Sequence, residues 1–233
     1  MPPPRLVLAR HGESAWNRQN RFTGWEDPPL TSAGRSEAKH TADMLAAAGA
    51  TFDAAYTSYL RRAAETLHEI QRRMKLMWLP VFSDWRLNER HYGALQGINK
   101  EEAARRYGAK QVRAWRRGFA ERPPPGGKAA APDHRYDGVA VPCGESLEDT
   151  AKRARACYAE RILPLLRQNK RVLVVAHGNS LRALIMHLDN ISPADIVRLE
   201  IPTGGALAYQ TGKNGAPLPP RKIMRNPSAP NLS

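Results

Sequence analysis

Two histidines stand where chemistry can be done. In Arg10-His11-Gly12-Glu13 an imidazole lies beside a guanidinium and before a glycine, just past the apolar run Leu6-Val7-Leu8-Ala9. Glycine lets the backbone approach a ligand closely, and arginine grips a phosphate through two parallel hydrogen bonds. A neutral imidazole next to such a cation can attack phosphorus. Neighbouring positive charge lowers the histidine pKa and keeps that nucleophile unprotonated near neutral pH. Four specified residues at ~5% each arise by chance about once in a thousand chains of this size. An isolated histidine at a strand end is more often a structural hydrogen-bonder, so this motif alone decides little.

The second histidine changes that balance. His177-Gly178-Asn179-Ser180 repeats the arrangement after Val172-Leu173-Val174-Val175-Ala176, far away in the chain. Two histidines at the ends of adjacent parallel strands would face one phosphoryl group from opposite sides. One would be the nucleophile and the other a donor to the equatorial oxygens. Arg62, near the start of a helical segment, would bring another cation to the same group. Phosphoryl transfer needs positioning and charge neutralisation above all. Arginines and histidines can give that neutralisation, and no clustered carboxylates suggest a metal site, so none is expected.

The elements that must position these groups follow from patterning. Near-continuous Val/Leu runs fit central strands covered on both faces. Thr31 to Ala48 has apolar and alanine positions at helical spacing and stops at Gly49. Another helix is predicted from Ser58, with Leu60, Ala64, Leu67 and Ile70 as its buried stripe. Ser146 with Asp149 is a capping-box pattern opening a helix to about Leu166. Ser180 is taken to open the helix after the second strand, and Ser192-Pro193 reads as an N-cap with proline at N1. Alternating strands and helices point to a three-layer α/β/α sandwich with a mostly parallel sheet. Ligands of such sheets collect at the carboxyl ends of the strands, where both histidines fall.

Length and composition set the bounds. A chain of 233 residues, 42% hydrophobic and 25% charged, suits one soluble domain over residues 1–233. A mobile loop is expected near 121–146, around Pro123-Pro124-Pro125-Gly126-Gly127, and a flexible tail from about residue 212. No apolar run approaches the roughly 20 residues of a membrane span, and Met1-Pro2-Pro3-Pro4 lacks the apolar stretch of a secretory signal. Two cysteines, Cys143 and Cys157, make no disulfide framework, so a cytoplasmic setting is expected. The net charge of +14 favours anionic partners. It is dispersed along the chain, with no zinc-finger spacing and no helix-turn-helix, which argues against nucleic acid.

The Arg10-His11-Gly12-Glu13 motif with His177-Gly178 resembles the histidine phosphatase superfamily, which holds both mutases and phosphatases. Longer tracts resemble its mutase branch. These are Asn17 with Asn20-Arg21-Phe22-Thr23-Gly24-Trp25, Tyr56-Thr57-Ser58 with Arg61-Arg62-Ala63, and Leu87-Asn88-Glu89-Arg90-His91-Tyr92-Gly93-Ala94-Leu95-Gln96-Gly97 with Asn99-Lys100. Trp115-Arg116-Arg117-Gly118-Phe119 and Ile201-Pro202-Thr203-Gly204 complete a resemblance spanning about residues 5–210. The chain is similar to bacterial and animal phosphoglycerate mutases primed by 2,3-bisphosphoglycerate. That branch usually has an acidic residue where Asp27-Pro28-Pro29-Leu30 has a proline, and a longer 121–146 loop and tail.

The resemblance implies a function. It makes His11 the phosphorylated residue, and Glu89 the proton donor and acceptor for the substrate hydroxyl. Arg10, Arg62 and His177 would surround the transferring phosphoryl group, with Gly12, Asn17, Gly178 and Asn179 beside it. Glu13, Ser14, Ala15, Trp16, Thr23 and Gly24 would help hold the substrate. Tyr92, Lys100, Arg116 and Arg117 would take its carboxylate and the non-transferring phosphate, and Arg90 and His91 would join the substrate-binding set. It implies small anionic phosphoglycerate substrates, a glycolytic and gluconeogenic role, and a homo-oligomer (dimer or tetramer). Without the surrounding tracts, Arg116-Arg117 would read as a solvated helix face, and Glu89 as a salt-bridge partner of Arg90 or Arg86. A phosphatase of the same superfamily would keep Arg10, His11, Arg62 and His177 but would not need Lys100, Arg116 and Arg117.

Overall fold

A computed structural model describes residues 3–127, 133–212 and 214–224, the last six through their backbone. The chain runs β1 (Leu6–Arg10), α1 (Ala15–Arg18), α2 (Ser32–Ala47), β2 (Ala54–Thr57), α3 (Arg61–Arg73) and β3 (Val81–Ser83). It continues through α4 (Lys100–Tyr107), α5 (Ala109–Arg117), α6 (Leu147–Cys157), α7 (Leu163–Arg167), β4 (Val172–Ala176), α8 (Gly178–Leu188), β5 (Ala206–Thr211) and β6 (Pro217–Met224). One six-stranded sheet has the order β3-β2-β4-β1-β5-β6. The first four strands are mutually parallel, and β5 and β6 are antiparallel at one edge. The mixed, mostly parallel α/β architecture expected from the sequence is the one observed.

Strand alternation builds the three layers. Leu6, Leu8, Val172 and Val174 point into one core with α6, α7 and α8, through Ala154, Leu166, Leu181 and Ile185. Val7, Ala9, Leu173 and Val175 point into the other, against Ala42 and Leu45 of α2 and Leu67 and Ile70 of α3. Because side chains alternate faces along a strand, unbroken Val/Leu runs feed both cores at once. A third, smaller core of Phe22, Leu95, Ala103, Val112 and Trp115 belongs to α4, α5 and the segments before them. It gives the α4–α5 unit its own anchor.

Helix boundaries obey local chemistry, with three departures from the expected starts. Ser146 and Asp149 form the predicted capping box. The helix there passes through a π-helical stretch, Tyr158–Ile162, before α7 carries it to Arg167. The helix after β4 begins at Gly178 instead of Ser180, because His177 occupies the N-cap and Ser180 turns back to accept from its amide at 3.2 Å. At Ser192-Pro193 no α-helix forms. Ser192 Oγ accepts from the Asp195 amide at 3.1 Å, and the turn leads only to a short 3-10 segment, Ile196–Arg198. The α3 helix starts at Arg61, three residues after Ser58.

Strand β6 occupies the first part of the tail expected to be flexible, and residues beyond 224 lie outside the described ones. Of the loop near 121–146, residues 128–132 lie outside them too. On its far side Tyr136 is buried, stacks on Trp25 at 4.8 Å, and accepts from Asn88 Nδ2 at 2.9 Å. One glycine pair locks a helix to the β1 end. A Cβ on Gly12 would lie 2.1 Å from the Gly34 carbonyl oxygen, and one on Gly34 would lie 2.1 Å from that of Glu13.

Candidate active site

Strand register brings the two histidines together. Arg10 pairs with Ala176 at the carboxyl ends of β1 and β4, so the next residue of each strand is a histidine. Their ring centroids lie 4.9 Å apart, and both side chains are buried. His11 Nδ1 lies 2.7 Å from the Gly12 carbonyl oxygen. A carbonyl can only accept, so Nδ1 carries the proton and Nε2 keeps its lone pair. Burial, then Arg62 and Arg10, hold the His11 pKa well below its ordinary 6.5. Neutral at physiological pH, the imidazole has the form that a nucleophile requires.

His177 has the complementary arrangement. Its Nε2 lies 2.7 Å from Ser58 Oγ, and its buried Nδ1 has no hydrogen-bond partner. Burial and then Arg62 lower its pKa well below 6.5. Ser58 Oγ accepts from the Leu60 amide at 3.1 Å and can give its own proton to Nε2. In the tautomer in which Ser58 donates to Nε2, the proton lies on Nδ1, a donor whose acceptor would be an incoming oxygen. A buried donor without an acceptor is unfavourable by roughly 1–3 kcal/mol, so the site is built to gain when an anion enters.

A buried guanidinium, Arg62, and a half-buried one, Arg10, flank the histidines. Arg62 donates to the carbonyls of Glu26 at 2.8 Å and Gly24 at 2.9 Å, and Arg10 donates to that of Ile201 at 2.6 Å. Each retains a buried Nε without a partner. Burial lowers the Arg62 pKa to about 10 and lowers that of Arg10 as well. Both stay charged at neutral pH, held in place by carbonyls and not by carboxylates.

Glu89 is one of two carboxylates that line the cavity, the other being Glu200. Its Oε1 accepts from the amides of Arg90 at 2.8 Å and Asn179 at 3.1 Å. Its Oε2 would lie 3.7 Å from a Cβ added at Gly178. Asn88 and Arg90, its neighbours, are fully buried, so the carboxylate sits on a rigid loop.

A cavity of about 260 Å³ opens above these groups. Of the residues singled out from the sequence, Arg10, Asn17, Thr23, Gly24, Glu89, Tyr92, Lys100, Arg116, Arg117, Gly178 and Asn179 line it. His11, His177 and Arg62 are buried beside it. Others are placed elsewhere, for identifiable reasons. Gly12 lies against the α2 backbone. Glu13 is tied to Arg18 at 3.1 Å and to the Thr31 hydroxyl at 2.6 Å. Ser14 caps α1, whose first two residues are Ala15 and Trp16, and the Trp16 ring lies beside Gly97. Arg90 is buried and donates to Tyr92 Oη and the Arg116 carbonyl. His91 Nδ1 accepts from the Gly93 amide, and the residue borders a separate cleft with Trp25 and Tyr136. None of these seven residues lines the cavity.

Several cavity residues are ones to which the sequence assigns no site role. Arg182 lies one helical turn after Asn179, donates to its Oδ1 at 2.9 Å, and holds the carbonyls of Arg117 and Ile196. Its spacing of three from Asn179 on one helix was the available clue. Arg21 and Phe22 arrive from the segment after α1, and Glu200, Ile201 and Pro202 from the approach to β5. Glu200 pairs with Arg117. Burial and the neighbouring Arg116, Arg10 and Arg117 depress Lys100 to about 8, while Arg116 is lowered mainly by burial. Among the described residues no group of three or more His, Cys, Asp or Glu is arranged to hold a metal ion.

Comparison with known proteins agrees with this geometry. The chain is similar to a structure titled mycobacterial hydrolase 1, with 25% identity, TM-score 0.73, and coverage of 94% of this chain and 96% of that one. It is similar to a mycobacterial glucosyl-3-phosphoglycerate phosphatase in complex with VO3, with 26% identity, TM-score 0.71, and coverage of 94% and 97%. It shares the fold of the alpha-ribazole phosphatase from Shigella flexneri, with 23% identity, TM-score 0.67, and coverage of 92% and 94%. Residues 6–217 match the family described as histidine phosphatase superfamily (branch 1), and the chain belongs to that superfamily.

Proposed function

We propose that this enzyme is a phosphoglycerate mutase, interconverting 3- and 2-phosphoglycerate through a phosphohistidine at His11 primed by 2,3-bisphosphoglycerate. The observation that carries the reading is a second cationic group, Lys100, Arg116 and Arg117, in the same cavity as the first. The charges that act on His11 are Arg62 and Arg10. Those that act on Lys100 are Arg116, Arg10, Arg117 and Glu89. Glu89 in turn acts on Arg10 and Arg62. Arg10 acts on both His11 and Lys100, so the cavity offers one continuous run of cations from the histidine pair to Lys100, Arg116 and Arg117, with Glu89 among them. A substrate with a phosphate at one end and a further anion at the other fits that layout, and a simple phosphomonoester leaves half of it unused.

In this mechanism bound bisphosphoglycerate supplies the phosphoryl group that primes His11. His11 Nε2 forms its bond to phosphorus as the bond to the departing hydroxyl oxygen breaks. Glu89 in its acid form gives that oxygen a proton. Arg10, Arg62 and the His177 Nδ1–H neutralise the equatorial oxygens throughout. In the return transfer Glu89 removes the proton from the attacking hydroxyl while the N–P bond of His11 breaks. Lys100, Arg116 and Arg117 hold the other end of the glycerate, and no charge on the protein needs to move far.

A second reading, a phosphatase of the same superfamily, is favoured by the likeness to the mycobacterial phosphatase. It differs only in whether water reaches phosphohistidine before a hydroxyl does. Following 3-phosphoglycerate with and without added bisphosphoglycerate, and counting 2-phosphoglycerate and free phosphate, decides between them. Isomer formed faster than phosphate, and stimulated by bisphosphoglycerate, supports the mutase; phosphate without isomer overturns it. The two unpaired thiols support a cytoplasmic setting, and no helix among the described residues is long and apolar enough to cross a membrane.

A further inference from the structure

Arg153 is unlike the other arginines packed around the cavity. Arg10, Arg62, Arg90 and Arg182 each keep at least one buried nitrogen without a partner. All five N–H groups of Arg153 are used. Its Nε donates to Glu145 Oε1 at 2.7 Å and its Nη2 to Oε2 at 2.8 Å, a two-pronged pair. The remaining donors go to three carbonyls of one loop: Nη1 to Arg86 and Asn88, each at 2.8 Å, and Nη2 to Glu89 at 2.9 Å. Glu145 Oε2 also accepts from the His91 amide at 2.8 Å, and the Glu145 amide donates to the His91 carbonyl at 2.8 Å. The pair is almost wholly buried, with side chains 7% and 5% exposed. Trp25 Nε1 adds a donor to the Glu89 carbonyl at 2.6 Å, and the Arg153 guanidinium lies 5.7 Å from its ring centroid.

A saturated guanidinium has nothing left for a ligand, and neither member of the pair lines the cavity. What it holds is the backbone on both sides of Glu89. Isolated buried ion pairs stabilise little over apolar substitutes, so a stability role explains this one poorly. Five of its contacts converge on residues 86–91. We propose that the Glu145–Arg153 pair is a positioning device for Glu89, which fixes the carboxylate where it exchanges a proton with the substrate hydroxyl. This rests on Glu89 being the acid–base group. A misplacement of about 1 Å at a reacting group lowers rate about 10²-fold, and the pair prevents that misplacement without touching substrate.

The experiment is a cycle of Arg153→Lys and Glu89→Gln, singly and together, with Glu145→Gln as a milder second variant if Arg153→Lys does not fold. Two rates are measured on each protein: isomerisation of 3-phosphoglycerate, and phosphorylation of His11 by p-nitrophenyl phosphate. The second uses a leaving group that needs no proton. Both are referred to the burst amplitude of His11 phosphorylation, which counts intact sites. Arg153→Lys or Glu145→Gln should lower isomerisation kcat about 10- to 100-fold, with KM and the p-nitrophenyl phosphate rate within about threefold. In the Glu89→Gln background the same change should add no further loss. Equal loss in both rates, or full additivity with Glu89→Gln, would overturn the proposal. An unaffected Glu89→Gln single variant would overturn instead the acid–base role on which it rests.

Discussion

Raising the pH through 8 should loosen substrate before any arginine of the cavity titrates. Lys100 is depressed from its ordinary 10.5 to about 8, first by burial and then by Arg116, Arg10 and Arg117. An anion that restores its ordinary value gains a factor of about 300, or about 3 kcal/mol, from that one proton. Above pH 8 the free protein has lost the proton and must take it up again to bind. Affinity should therefore fall about tenfold per pH unit, reaching about 30-fold by pH 9.5. The substrate phosphate is fully ionised above about pH 7, so its charge does not vary over this range. The assay is KM for 3-phosphoglycerate, with calorimetric Kd as a check, from pH 7 to 9.5 in wild type and Lys100→Arg. Lys100→Arg stays charged and should be flat. Stability moves the other way. Between pH 8 and 10.5 the unfolded chain binds a proton that the native protein lacks, so the native state gains as pH rises. Lys100→Met should accordingly be more stable than wild type at pH 7, by up to about 3 kcal/mol, and that margin should shrink by about 2 kcal/mol at pH 9.5. A flat wild-type profile, or the same fall in Lys100→Arg, would refute the reasoning.

Three further outcomes follow from the same geometry. His11→Ala should abolish both the acid-labile phosphoprotein and isomerisation while the protein stays folded; an adduct persisting in that variant would place the nucleophile elsewhere. Ser58→Ala removes the hydroxyl beside His177 Nε2. It should slow phosphorylation of His11 about tenfold or more, approaching the 10²–10³ of a lost oxyanion donor, and an unchanged rate would mean that Ser58 does not set the proton on Nδ1. With cations neutralising the phosphoryl oxygens, activity should persist in excess EDTA and be inhibited by vanadate, which copies the five-coordinate transition state. Loss with chelator and recovery with Mg²⁺ would contradict it.

The parts of the fold legible in the sequence were those where one residue type does one job. Val172–Ala176 could only be a central strand, and the Ser146-Asp149 box announced its helix. Strand β2, Ala-Ala-Tyr-Thr, and the exposed three-residue β3, Val-Phe-Ser, contain strand-forming residues but are too short to show a period; the sheet sets their pairing. Ser180 failed as a helix start because the histidine before it took the N-cap instead. In the site, histidines and arginines at strand and helix ends were visible. Ser58 and Arg182 were less so, since their importance lies in the atoms they hold, His177 Nε2 and the carbonyls of Arg117 and Ile196. Glu13 ends the motif and Ser14 to Trp16 follow it, yet Ser14 caps α1, Ala15 and Trp16 open it, and Glu13 pairs with its Arg18.

The contact between Gly12 and Gly34 carries a consequence for how this protein tolerates change. A methyl on Gly12 would meet the Gly34 backbone and one on Gly34 would meet the Glu13 backbone, so alanine at either position cannot be rescued by a smaller side chain opposite. Relief would require α2 to move as a body, and Ala42 and Leu45 anchor it in the core against Val7 and Ala9 of β1. In a saturation scan scored by activity, position 34 should behave like a catalytic residue, although it lies on a helix outside the cavity. Ser32, Ala33 and Ser36 on the exposed side of the same helix should accept nearly anything.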